Sequence, residues 1–398
     1  GKQIDKTHYP ASITKILTAL VALENSELTD EVLFSEDSIS FLEYGDAHIG
    51  MTPGEILSMK DALYGMLLAS ANEVAYAIAE NVGKSMGGDY NTFIQKMNDR
   101  SAELGCTGSH WMNPNGLHDD NHYTTAHDMA LIASAVYQYD EFRTIVQTLS
   151  YTIPPTNLVN ESRTFQQKHK MLWPENANYY QYCTGGKTGY TDQARTTLVT
   201  MADNGELRLA AVVLYDFGND AYVDTRAMFD YVFDNFSKVM LSGQEKPEEI
   251  DSYADNDAYV LLPAGIGFED LDKEIEITDE QNREGTVTYT YQGQNVGSAD
   301  VVLAKDYVAE KTGHDYTLQA EKGSQVSGEG AQADEPSAAV KIAAGIGSAA
   351  IVFVILLAVH IWQARRKKRL LRRRRRARNT GKVRSVQNDE YGGPDQNR

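Results

Sequence analysis

The chain is poor in cysteine: Cys106 and Cys183 are two residues among 398. Two thiols exclude a disulfide-stapled scaffold, so a hydrophobic core has to hold the fold. Hydrophobic residues make up 42% and charged residues 23%, which excludes a disordered chain and suffices for more than one domain. Positive charge is scarce outside the C-terminus. Gln363 to Arg398 carries 14 Lys+Arg against 3 Asp+Glu, a net of +11; with the whole chain at −19, the preceding residues stand at −30. An acidic body repels polyanions, which argues against nucleic acid as its partner. No secretory leader is visible either. The chain opens Gly1-Lys2-Gln3 without methionine and reads as a processed or truncated product.

Long apolar runs are equally scarce, and Ile342 to Trp362 is the exception. It holds 21 residues without Asp, Glu, Lys or Arg, enough to cross a hydrocarbon core as a helix. Arg365-Arg366-Lys367-Lys368-Arg369 and the run Arg372 to Arg376 follow at once. The positive-inside rule places 363–398 in the cytoplasm as a basic tail and everything before the span outside, anchored in a cell membrane by a single pass. Within 313–341, Gly323 to Ser337 has almost no large apolar side chain and reads as a flexible linker. The compartment so inferred permits a Cys106–Cys183 disulfide, although the sequence does not decide it.

In the body, Pro10-Ala11-Ser12-Ile13-Thr14-Lys15 opens the apolar helical run Ile16 to Leu23. Helical periodicity returns at Ile56 to Leu68, breaks at Ala69-Ser70-Ala71-Asn72, and resumes through Val82. Further helices are expected over Tyr90 to Leu104 and Asp128 to Tyr139, the second capped near Thr125. From Thr184 the period changes to that of strands, with Asp203-Asn204-Gly205 marking a hairpin between Thr196 to Met201 and Leu207 to Tyr215. Tyr222 to Phe236 reads as an amphipathic helix packing on them. Short β-rich runs between 250 and 312 suggest a small β domain.

Three strings carry chemistry. Ser12 and Lys15, three residues apart at a helix start, share a face, and a lysine desolvated by apolar neighbours can act as base for a serine. Ser70-Ala71-Asn72 falls in a helix–helix connection, 58 residues after Ser12, and Lys187-Thr188-Gly189 falls on a strand, 117 residues after Ser70. Each triplet alone is a weak signal, but their order and settings reinforce one another as S-x-x-K, S-x-N and K-T-G.

With Tyr9 to Lys15, Leu68 to Asn72, Asn113-Pro114-Asn115-Gly116-Leu117, His122 to Ala126 and Lys187 to Thr191, the chain resembles the low-molecular-weight penicillin-binding proteins. These are the serine-type D-alanyl-D-alanine carboxypeptidases of peptidase family S11. The resemblance implies an α/β (α+β), penicillin-binding-protein/β-lactamase-like domain over 1–245, with an antiparallel sheet and a helical subdomain, lacking its N-terminal strands here. A small all-β domain over 250–312 follows. It implies a substrate, peptidoglycan stem peptides ending in D-Ala-D-Ala, covalent inhibition by β-lactams, and no cofactor. It also implies roles. Ser12 is the nucleophile, Lys15 its base, Ser70 a proton relay and Asn72 a clamp on Lys15 and the substrate amide. Lys187 and Thr188 take the terminal carboxylate, Gly189 admits the substrate to the strand edge, and the N–H groups of Ser12 and Tyr190 form an oxyanion hole. Arg195 departs from the small residues expected there and reads as a solvated charge.

Other readings remain open on the sequence. His118, His122 and His127 raise the question of zinc, although Gly116 and the Asp-Asn run make a loop of that stretch, and no metal is expected. A β-lactamase or a D,D-endopeptidase would use the same scaffold. A non-catalytic, membrane-tethered wall-binding module would need a broken constellation.

Overall fold

The computed structural model describes residues 1–314, and these form an α+β body. A 3-10 turn over Ala11–Thr14 runs without a break into α1 (Lys15–Asn25). Every residue of α1 from Lys15 to Ala22 is buried, and a helix covered on all sides lies at the centre of a core. β1 (Glu31–Leu33) comes next, then the single turn α2 (Asp37–Ser40). β2 (Ile56–Ser58) pairs antiparallel with β1, Val32 opposite Leu57, before α3 (Met59–Leu68) begins. The helix expected from Ile56 therefore starts three residues later. The ladder takes Ile56–Ser58, and the Ser58 side chain caps α3 by accepting from the Asp61 N–H at 3.1 Å.

α4 (Asn72–Ser85) resumes after the short connection, and α5 (Tyr90–Glu103) opens on a capping box of Asp89 and Thr92. α6 (Ala126–Val136) is capped by Thr125, whose Oγ1 accepts from the Asp128 N–H at 3.0 Å. α3, α4, α5 and α6 all pack on α1, and α7 (Asp140–Gln147) closes the helical half. A hairpin of β3 (Ser150–Ile153) and β4 (Arg163–Gln166) follows that no strand signal had marked.

β5 (Cys183–Thr191), β6 (Arg195–Asp203) and β7 (Arg208–Asp216) form the expected antiparallel sheet in that order. Along β7 the side chains alternate between two clusters. Ala210, Val212 and Leu214 meet the core around α1, while Leu209, Ala211 and Val213 meet α8 (Asp220–Asn235). The sheet is thus a partition, and β5 is its edge on the side of the Ser12 turn.

β8 (Phe236–Met240) leaves α8 directly. β9 (Ile250–Tyr253), β10 (Tyr259–Pro263), β11 (Asp272–Asp279), β12 (Glu284–Tyr291) and β13 (Gln294–Leu303) then lead to α9 (Lys305–Thr312). Four of these strands make an antiparallel sheet ordered β11-β12-β13-β9. β8 pairs with β10, so a backbone ladder crosses the 245–250 region where a domain boundary was expected.

Both cysteines are free, which overturns the suggested bridge. The Cys106 thiol meets the Asp128 carbonyl at 3.5 Å and Cys183 the Gly185 carbonyl at 3.9 Å. The span 342–362, the tail 363–398 and all but the first two residues of the 313–341 linker lie outside the described residues. Among the described residues no helix is long and apolar enough to cross a membrane.

Candidate active site

The Ser12 turn is held in place from several sides. Thr197 Oγ1 on β6 donates to the Pro10 carbonyl at 2.7 Å, and Thr14 Oγ1 donates to the Ala11 carbonyl at 2.8 Å. His122 backs the turn. Its Nδ1 accepts from the Met112 N–H at 3.0 Å, so Nε2 carries the proton and donates to Thr14 Oγ1 at 2.8 Å. Both nitrogens are thereby used, and burial lowers the His122 pKa to about 3, with Asp119 opposing and His110 adding to the shift. Among the described residues no group of three or more His, Cys, Asp or Glu side chains is placed to hold a metal ion.

Two glycines are dictated by close approach. A Cβ on Gly116, at φ +84°, would sit 1.9 Å from the Ala11 carbonyl oxygen; one on Gly189 would sit 2.3 Å from Thr197 Oγ1 and 2.9 Å from the Ser12 nitrogen. The backbone of β5 therefore lies against the Ser12 turn because Gly189 has no side chain. Ala11 and Ser70 adopt φ +52° and +67°, a left-handed backbone that costs non-glycine residues of order 1–3 kcal/mol and concentrates at functional sites.

Lys15 is fully buried and its Nζ makes three contacts: Ser12 Oγ at 2.9 Å, Asn72 Oδ1 at 2.7 Å and the Asn115 carbonyl at 2.6 Å. Desolvation lowers its pKa to about 7; Glu73 and Asp46 oppose the shift and Lys168 adds to it. A neutral amine has two donors and one lone pair. Asn72 Oδ1 and the Asn115 carbonyl accept from the donors, which leaves the lone pair facing the Ser12 hydroxyl. This is the arrangement a general base requires.

The second amine is Lys187, 1% exposed on β5. It donates to Ser70 Oγ at 2.8 Å and to the Thr188 carbonyl at 2.8 Å, and burial, then Lys15 and Lys168, hold its pKa well below the usual lysine value. Ser70, in the connection between α3 and α4, thus joins the lysine of the third string to the second string, as Asn72 joins the second to the first. Ser12, Asn72, Gly116 and Tyr190 line a cleft of about 780 Å³, and a smaller arm of about 340 Å³ opens beside Ser12, Ser70, Thr188 and Gly189.

Residues 1–218 match peptidase family S11, described as D-alanyl-D-alanine carboxypeptidase. The chain belongs to this family. The D-alanyl-D-alanine carboxypeptidase DacF of Bacillus subtilis is 29% identical over 322 residues, which span 75% of each chain. DacB2 of Mycobacterium tuberculosis, another carboxypeptidase by name, is 31% identical over 243 residues, 58% of this chain and 77% of the relative. The crystal structure of the Streptomyces K15 DD-transpeptidase superposes with a TM-score of 0.53 at 26% identity, covering 58% of this chain and 90% of that one. The S11 chain is accordingly a serine peptidase with the penicillin-binding-protein/β-lactamase-like α+β fold.

All eight site residues read from sequence meet around one cleft. Arg195 is exposed at the start of β6 and lines neither arm. Sequence reasoning missed the Asn115 carbonyl, because a backbone contact carries no residue signature; the turn-rich Asn-Pro-Asn-Gly run was its only trace. It also passed over Lys168 and Lys170, which line the smaller arm.

Proposed function

We propose that this S11 serine peptidase removes the terminal D-alanine from peptidoglycan stem peptides through an acyl-enzyme on Ser12, and that it works tethered to the outer face of a cell membrane. The observation that carries the chemistry is the Lys15 Nζ, with its donors spent on Asn72 and Asn115 and Ser12 Oγ at 2.9 Å. Lys15 takes the serine proton as Oγ attacks the carbonyl between the two D-alanines. The N–H groups of Ser12 and Tyr190 hold the oxyanion, an element whose loss costs about 3–4 kcal/mol. The proton that Lys15 took passes by way of Ser70, hydrogen-bonded to Lys187, to the leaving amine, so that D-alanine departs with Ser70 still a hydroxyl and Lys15 neutral again. Water then attacks the ester on Ser12, with Lys15 again as base, and regenerates the serine.

Thr188 offers a hydroxyl to the terminal carboxylate, with the Lys187 side chain behind it. β-Lactams present a strained amide and a carboxylate in the same disposition and acylate Ser12. Tethering rests on the apolar span 342–362 followed by its basic tail. A non-catalytic wall-binding role fits poorly with a fully connected Ser12–Lys15–Asn72 and Ser70–Lys187 network.

D-Alanine release from an N-acylated tripeptide ending in D-Ala-D-Ala tests the activity. The wild-type chain should release one D-alanine per peptide and Ser12→Ala none. Release that persists in Ser12→Ala would place the nucleophile elsewhere.

A further inference from the structure

One buried acid has no part in the chemistry described above. Glu73 follows Asn72 in the first turn of α4 and is 0% exposed. Its Oε1 accepts from the Ile49 N–H at 2.7 Å, and its Oε2 is buried with no hydrogen-bond partner among the described residues. Burial raises its pKa, and the Ile49 N–H is the strongest group opposing that rise. A carboxylate left half satisfied in the interior is costly, and its presence calls for a reason beyond packing.

The bond to Ile49 moors one wall of the larger arm, the segment that brings Phe41, Glu43, Tyr44, Asp46 and Ala47 to the cleft. Three attachments hold this segment on α4. Phe41 stacks on Tyr76 with ring centroids 5.2 Å apart, the Ala47 carbonyl accepts from the Asn72 N–H at 2.8 Å, and Ile49 donates to Glu73. Asn72 Oδ1 also accepts from Lys15 at 2.7 Å, so the first turn of α4 joins the wall of the cleft to the base. Glu73 meets Lys15 through charge as well. The charged groups around that amine come from several elements: Glu73 on α4, Asp46 on the wall, Lys168 before β5 and Lys187 on β5, while His122, with a pKa of about 3, is neutral. After burial, which lowers the Lys15 pKa, Glu73 has the largest effect and opposes the fall; Lys168 adds to the fall and Asp46 opposes it. Lys168 is exposed and Asp46 half-buried, so water screens both, whereas Glu73 acts from the interior. His48, exposed on the same wall, is the charged group that faces Glu73 from the other side.

We propose that Glu73 is a positioning residue for acylation: its carboxylate ties the 41–49 wall of the cleft to the start of α4 and serves as the buried counter-charge of the Lys15 amine. The proposal rests on the reading of Lys15 as the base for Ser12. With the anion removed and the shape kept, less favours the protonated amine, so Lys15 stays neutral down to a lower pH.

The test follows the rate of Ser12 acylation by a penicillin against pH in the full chain. Glu73→Gln keeps the acceptor for Ile49 and removes the charge. Its midpoint should fall by roughly one pH unit from the wild-type value of about 7, which raises the rate at about pH 6, taken relative to each chain's own plateau, about fivefold. Glu73→Asp keeps the charge but is a methylene short of Ile49, so its plateau should drop several-fold while its midpoint stays near the wild-type one. Should Glu73→Gln not fold, Glu73→Met fills the same space without a polar group to bury and should show the same fall in midpoint. A midpoint that is unmoved or moves upward in the uncharged variants overturns the proposal, as does a Glu73→Asp midpoint that falls as far as theirs. A wild-type profile without pH dependence removes Lys15 as the base, a result separable from a lysine-dependent profile that ignores Glu73.

Discussion

Lys15 illustrates how a residue's surroundings decide its chemistry. An ammonium at the usual lysine pKa would be almost wholly protonated at neutral pH and useless as a base. Burial brings it to about 7, so a large fraction is neutral where the enzyme works. The reactive form is the deprotonated one, so activity is lost as pH falls below about 7 and levels off above it. We expect the rate of Ser12 acylation to rise about tenfold per pH unit below that value and flatten above it; a profile flat from about pH 5 to 8 would remove Lys15 from the role. Ser12, Lys15, Ser70, Asn72 and Lys187 to Tyr190 were legible because side-chain identity is what their chemistry needs, and order and spacing raised three short strings above chance. Lys168 was illegible for the opposite reason. An exposed lysine in a polar stretch looks like any solvated charge until the fold brings it beside Thr188.

Elements were legible where one period dominated. The Asp203-Asn204-Gly205 turn, with Gly205 at φ +92°, separates β6 and β7 as its composition demands. Ile56–Ser58 misled because three apolar or small residues before a helix fit its period equally well, and only pairing with distant β1 reveals a strand. The β3–β4 hairpin was missed because its tie is a side-chain pair remote in sequence. Arg163 Nη2 lies 2.8 and 2.9 Å from the two oxygens of Glu55, whose side chain is wholly buried. Glu55 also accepts from Thr156 Oγ1 at 2.7 Å and from the Thr52 N–H at 2.7 Å, and these bonds hold its pKa below the usual carboxylate value against the desolvation that opposes them. Removing one partner of a buried pair leaves an uncompensated charge, so Arg163→Met should destabilise the fold by about 3–5 kcal/mol in denaturant unfolding. A loss under about 1 kcal/mol would mean that the pair contributes no more than a surface ion pair.

At the scale of the molecule, the sequence conveyed the division between a helical half and a sheet, since hydrophobic period is a local property. It conveyed less about how the parts join. The β8–β10 ladder links residues on either side of the 245–250 region, and no local pattern announces a partner strand some twenty residues away. The arginine- and lysine-rich run directly after the apolar span 342–362 sets the expected topology: body outside, tail inside. Protease added to intact protoplasts should remove the body and spare an epitope placed in the tail. Digestion of the tail with protection of the body would reverse the orientation.

Ser12 as a nucleophile made reactive by Lys15 is the central assignment, and intact-mass measurement after incubation with a penicillin tests it most directly. The wild-type chain should gain the mass of one penicillin, and Ser12→Ala and Lys15→Ala should gain none while remaining folded. No mass gain in the wild-type chain, or a gain that survives Ser12→Ala, would contradict it.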